Sequence, residues 1–195
     1  MNKSIIFSIL AIVSVLTACN NTTSDKKENN NTVAAVDTNT KQVPTVTQPK
    51  AVVSIKEILA DYLQMKNAFV KDNAKDAATA GNEMVKSFTN FNKAALTTEQ
   101  VKMYNDIQDD AKEHAEHIGM NAGKIEHQRE HFEILSKDVY QLVKAFGGEQ
   151  KLYYDHCPMY NDGKGANWLS ETKDISNPYL GKKMSTCGTV KEELK

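Results

Sequence analysis

Two short stretches near the C-terminus each set a thiol close to a thioether: His156-Cys157-Pro158-Met159 and Met184-Ser185-Thr186-Cys187-Gly188. Thiolate and thioether sulfurs are polarizable donors that favour monovalent copper or silver, whereas a zinc site prefers thiolates and imidazoles without methionine. Cys157, Met159, Met184 and Cys187 are therefore candidate ligands for copper(I) or silver(I), with His156 beside them, and zinc is disfavoured. Pro158 holds the residue before it extended, and Gly188 lets the backbone turn tightly, so that a short loop can point several donors at one centre. Two plainer readings stand beside this one. A Cys157–Cys187 disulfide would close a loop of about thirty residues and, in the chain-entropy treatment, stabilise the fold by roughly 3 to 4 kcal/mol. Met159 and Met184 would, in the other reading, simply fill irregular gaps in the core. An oxidised pair cannot ligate and a metal-bound pair does not readily oxidise, so metal and disulfide would alternate.

Four of the five histidines form a second constellation. His114 with His117 and His127 with His131 stand at three- and four-residue spacings, which put each pair on one face of a helix. If the chain reverses between Gly119 and Gly123, all four imidazoles lie within about 15 Å along the resulting hairpin. Two such pairs can make a site for zinc or copper, either on their own or shared with the sulfurs. The alternative is a solvated face on which the histidines pair with Glu113, Glu116, Glu126 or Glu130. The run His114-Ala115-Glu116-His117 is not the His-Glu-x-x-His arrangement of a zinc protease.

These residues need elements to position them, and the apolar pattern supplies helices. Ser54-Ile55-Lys56-Glu57 fits a capping box, with Val53 and Ile58 placed as a hydrophobic staple. Ile55, Ile58, Leu59, Tyr62, Leu63 and Phe69 then follow helical steps. A second helical pattern runs from about Ala74 to Asn92, weakened locally by Gly81. Thr97-Thr98-Glu99-Gln100 is another capping box, again with a staple between Leu96 and Val101, and opens a long pattern through Ile118. Helical character resumes at Lys124 and stops at Gly147-Gly148. The expectation is a mostly α fold: an antiparallel bundle of about four helices with an irregular C-terminal tail, 149–195, containing short extended segments. One long bent helix spanning the third and fourth patterns is the alternative topology.

The N-terminus gives an address. Lys3, the apolar run Ile5 to Leu16 and then Leu16-Thr17-Ala18-Cys19 have the order of a secretory signal, and the run is too short to cross a roughly 30 Å hydrocarbon layer. The cysteine at the cut resembles a lipobox, which implies a signal peptide at 1–18 and a lipid on Cys19. Several acyl chains, at about 0.8 kcal/mol per buried methylene, anchor stably. Residues 19–50 are rich in Asn, Thr, Ser, Lys and Asp and read as a tether with a typical span of about 30 Å. The remainder, 51–195, has the length of one domain. The expected location is the cell envelope, on a membrane facing the periplasm.

Lipidation of Cys19 would leave Cys157 and Cys187 as the only two thiols, in a compartment outside the reducing cytosol. A net charge of −1 with acids and bases interspersed argues against nucleic acid, which needs a clustered basic face. No nucleophile with a matched base, phosphate loop or telling pair of carboxylates is visible, so no enzyme is expected.

Several separated pieces recur in an order that resembles a known family. They are His127-Gln128-Arg129-Glu130-His131-Phe132 with Leu135-Ser136, Cys157-Pro158-Met159, Gly165-Ala166, Trp168-Leu169-Ser170, Ile175, Asn177-Pro178-Tyr179, Gly181, Met184 and Cys187-Gly188. The chain is similar there to an exported domain family of unknown function, found alone and at the C-terminus of periplasmic adaptor subunits of copper and silver efflux pumps. The resemblance implies heavy-metal handling in the envelope, with such a pump or its adaptor as partner. It supplies no reaction. Asn167 and Leu180 stand where that family often carries an aromatic residue.

Overall fold

The computed structural model describes residues 54–195. The expected signal peptide at 1–18, the lipid site at Cys19, the tether at 19–50 and Val53 of the first staple lie outside the described residues.

Four helices follow one another: α1 (Lys56–Val70), α2 (Ala74–Asn90), α3 (Thr98–Met120) and α4 (Ile125–Phe146). The first start differs from expectation. Ile55 rather than Ser54 is the N-cap of α1, no side chain caps it, and the Ser54 hydroxyl only accepts from the Lys56 amide at 3.2 Å. Burial decides this, since Ile55 is drawn into the core beside Ile58 and Leu59. The second expected box does form: Thr97 Oγ1 accepts from the Gln100 amide at 3.3 Å, and Gln100 Oε1 accepts from the Thr97 amide at 3.0 Å. Asn73 caps α2 by accepting from the Asp76 amide.

Gly81 is a contact rather than a break. A Cβ there would stand 2.8 Å from the carbonyl oxygen of Ala115 and 3.0 Å from the amide nitrogen of Gly119, so α2 and α3 approach backbone to backbone. Gly119 stays inside α3, and the chain reverses only at 121–123. The third and fourth patterns are thus two antiparallel helices, and the bent-helix alternative falls. At the far end of α4, Gly147 takes φ +82° while its amide bonds to the Val143 carbonyl.

The tail is more regular than its pattern predicts. Strands β1 (Leu152–Cys157), β2 (Ala166–Ser170) and β3 (Thr189–Leu194) form an antiparallel sheet in the order β2-β1-β3. Cys157 stands opposite Ala166 and Asp155 opposite Trp168. The sheet packs on α4 and α1 through β2. Tyr62 of α1 binds it there, accepting from the Leu169 amide at 3.0 Å while its hydroxyl meets Ser136 Oγ of α4 at 2.9 Å.

One charged residue ties these layers together. Arg129 of α4 is only 4% exposed. Its guanidinium donates to the carbonyls of Pro178 (2.8 Å) and Phe69 (3.0 Å), to Asp72 Oδ1 (2.6 Å) and to Glu126 Oε1 (3.2 Å). Asp72, whose carboxyl is lowered below its ordinary value chiefly by its hydrogen bond to Arg129, also accepts from the Lys182 amide. Removing the guanidinium would take away the Pro178 carbonyl's partner and the Asp72 carboxylate's cation, while the Phe69 carbonyl would keep its bond from the Asp72 amide at 3.1 Å; leaving a buried acceptor unpaired is the costly way to break a polar contact. Arg129→Met is expected to lower stability by about 1 to 3 kcal/mol, read as a shift in urea midpoint at unchanged slope. A change within about 0.5 kcal/mol, the size of an ordinary surface substitution, would contradict this role.

Candidate metal centre

The hairpin of α3 and α4 brings all four of its histidines together. His117 and His131 stack nearly parallel, with ring centroids 4.4 Å apart and planes at 8°. His127 meets His131 edge-on at 4.7 Å. One donor atom from each of His117, His127 and His131 lies within 4.8 Å of the other two. His114 joins differently: its Nδ1 is 2.9 Å from Nδ1 of His131.

Carboxylates surround the rings. Glu130 Oε2 lies 3.2 Å from His127 Nδ1, Asp110 Oδ1 lies 3.6 Å from His114 Nε2, and Glu113 Oε1 lies 3.9 Å from His117 Nε2. These anions would offset the charge of a bound cation. Two of the imidazoles are biased towards the uncharged form. Burial pushes His131 down to about 4, the neighbouring His117, His114 and His127 add to the shift, and Glu130 opposes it. Burial also lowers His114, against the pull of Asp110 and Glu113. Neutral rings with free lone pairs are what a metal needs from histidine.

The sulfur cluster is only partly assembled. Cys157 Sγ and Cys187 Sγ stand 3.1 Å apart as free thiols, Cys157 fully buried at the end of β1 and Cys187 half-buried. The hydrogen bond to Cys157, followed by burial, raises the Cys187 thiol above its ordinary value, and a backbone hydrogen bond from Met159 works against that. Met159 and Met184 are 58% and 37% exposed, so neither fills the core. Alternation along β1 turns His156 to the face opposite Cys157, where His156 Nδ1 is 2.8 Å from Asn167 Oδ1 and its ring lies over Gly165. Among the described residues, neither cysteine joins the imidazole group, so the structure shows two separate clusters.

Residues 58–151 match a family described as "Protein of unknown function (DUF3347)". The resemblance to a domain family of unknown function is thereby shown. The DUF3347 match spans the helical body and all four hairpin histidines, and it ends one residue before β1, so both cysteines lie beyond it. No curated protein and no solved structure matches the chain.

Two positions were hidden from sequence reasoning. Asp110 faces His114 from one turn earlier on α3, and its four-residue spacing was the available signal. The direct bond between His114 and His131 had no signal, because it depends on how two helices are rotated against each other. The depressed His131 gives a pH dependence. Its folded value of about 4 lies below the ordinary 6.5, so its neutral form supports the fold fully above about pH 6.5, and that support is lost as pH falls through about 4. Imidazole resonances followed by NMR are expected to show a His131 midpoint near 4, and His131→Gln to flatten the stability profile between those limits. A His131 midpoint at the ordinary 6.5 would contradict the packing described.

Proposed function

We propose that this protein is a membrane-tethered envelope lipoprotein that captures copper-class ions, copper(I) or silver(I) above all, and buffers them or passes them to an efflux system. The observation that carries the metal reading is the convergence of His117, His127 and His131 at the hairpin, with donor atoms within 4.8 Å. Imidazole accepts copper as well as zinc, and among divalent ions copper binds such donors more tightly. The exposed thioethers of Met159 and Met184 and the thiols of Cys157 and Cys187 supply a softer set elsewhere on the same domain. First capture is thus assigned to the imidazoles, with zinc as the competitor to be excluded. Lipidation at Cys19 and a tether at 19–50 would hold the domain close to the membrane and to an efflux pump or its adaptor.

A second reading has its own support. The contact between a fully buried Cys157 and Cys187 favours a structural disulfide, with the domain serving as a non-enzymatic docking module. Titration of the reduced full chain with copper(I) against a competing chelator, repeated with silver(I) and zinc, separates the two. Affinity well below micromolar is expected, weakened by at least about tenfold, ~1.4 kcal/mol, in His127→Ala/His131→Ala. Affinity no tighter than micromolar overturns the metal reading. If Cys157→Ser/Cys187→Ser leaves copper affinity intact and the untreated protein shows no free thiols, the tail is structural and the hairpin alone is the site.

A further inference from the structure

The four histidines do not stand in equivalent places, and the difference predicts how an ion would be held. We infer that the hairpin centre binds its ion through three imidazoles only, with His114 as a positioning residue that fixes His131 and one coordination position left open to an incoming ligand. The inference rests on the metal reading above.

Geometry removes His114 from the ligand set. One of its nitrogens is engaged by His131 Nδ1 at 2.9 Å, and the other faces Asp110 at 3.6 Å. Two ring nitrogens at hydrogen-bond distance share one proton between them. The Asp110 distance is too long for a hydrogen bond, but its charge favours a proton on His114 Nε2. His114 Nδ1 is then the acceptor and His131 Nδ1 the donor. A neutral imidazole carries one proton, so His131 Nε2 is left as a bare lone pair. Glu130 does the same for His127: the carboxylate accepts from Nδ1 at 3.2 Å, which leaves Nε2 bare. Hydrogen bonds of this kind behind a ligating histidine fix its tautomer and raise its basicity.

Three nitrogens do not close a tetrahedral shell, and a site short of one ligand keeps a place for water or an incoming donor. His117 and His127, with side chains 45% and 42% exposed, put that place on the outer side of the hairpin. The chemistry that fits it is a single donor of an acceptor molecule, an imidazole, thiolate or thioether, replacing water on the ion. This makes the hairpin a hand-over site rather than a closed store.

The full chain carrying Cys157→Ser/Cys187→Ser, so that the adjacent thiols cannot reduce the ion, is loaded with one equivalent of copper(II), and pulsed electron paramagnetic resonance counts the coordinated imidazoles, while copper(I) affinity is measured in parallel by chelator competition. Proton-nitrogen correlation NMR of the metal-free chain reads the His131 tautomer. Three imidazoles are expected, with His131 protonated at Nδ1. His114→Ala should keep the one-to-one stoichiometry while weakening affinity about 10- to 100-fold and freeing His131 to the other tautomer. His114→Asn, whose carbonyl can accept from Nδ1, should restore much of both. His117→Ala, His127→Ala and His131→Ala should each lose tight binding. Four coordinated imidazoles, or a His114→Ala chain with unchanged affinity and tautomer, overturns the inference while leaving the metal reading intact. Failure of the unsubstituted chain to bind copper overturns both.

Discussion

Much of the arrangement depends on the burial of one guanidinium. On a helix, residues two apart are rotated by about 200°. Arg129 lies between His127 and His131 at that separation from each. Holding Arg129 against the end of α1 and the Pro178 carbonyl therefore turns both histidines towards the opposite side, where α3 presents His114 and His117. Gln128 reinforces the same rotation, since its amide donates to the Ala74 and Ile118 carbonyls. The site is thus positioned from behind, by contacts none of which touch an imidazole.

The remaining constraint is how closely the helices can approach. Gly81 and Gly119 let α2 and α3 meet at backbone distance, where a side chain at Gly81 would collide with the Ala115 carbonyl. Asn121 then closes the end of α3 by donating to the His117 carbonyl at 2.8 Å. This puts His117 in the last turn of a well-ended helix rather than on a fraying one. On the other side of α4, Ser136 receives both Tyr62 and Tyr179, which join α1 and the tail to the same helix. The sheet and the bundle consequently share one core, and the tail braces α4 as much as it carries its own chemistry.

Legibility followed the range of the interaction. The capping box at Thr97 and the stop at Gly147 were readable because the residues that form them are neighbours in sequence. The hairpin histidines were readable for the same reason, once a reversal near Gly119 to Gly123 was allowed. The box at Ser54 misled because burial of Ile55 outweighed a local hydrogen bond. The sheet was not visible as such, since β1 and β2 are short and largely buried on both faces and so lack a clean alternation, while β3 is a mostly exposed run ending at the buried Leu194. The burial of Arg129 had no signal, because it stands between Glu126 and Glu130 and nothing local marks a charged residue as buried. Met159 and Met184 were misplaced in the core-filling reading, because exposure is decided by where the loop lands.

On the proposed metal reading, the order in which the two clusters would meet an ion follows from their protons. A ligand atom must be free of its proton before it can bind metal. At neutral pH His131 already is, since its value lies near 4, and no proton need leave. Cys187 is in the reverse position, because contact with Cys157 raises its thiol above the ordinary value, so binding there must expel a proton. Softness pulls monovalent copper towards sulfur, yet proton competition and the full burial of Cys157 slow and weaken that step. On that reading His131, half-buried and already without its proton, is a donor an arriving ion would meet without such a cost.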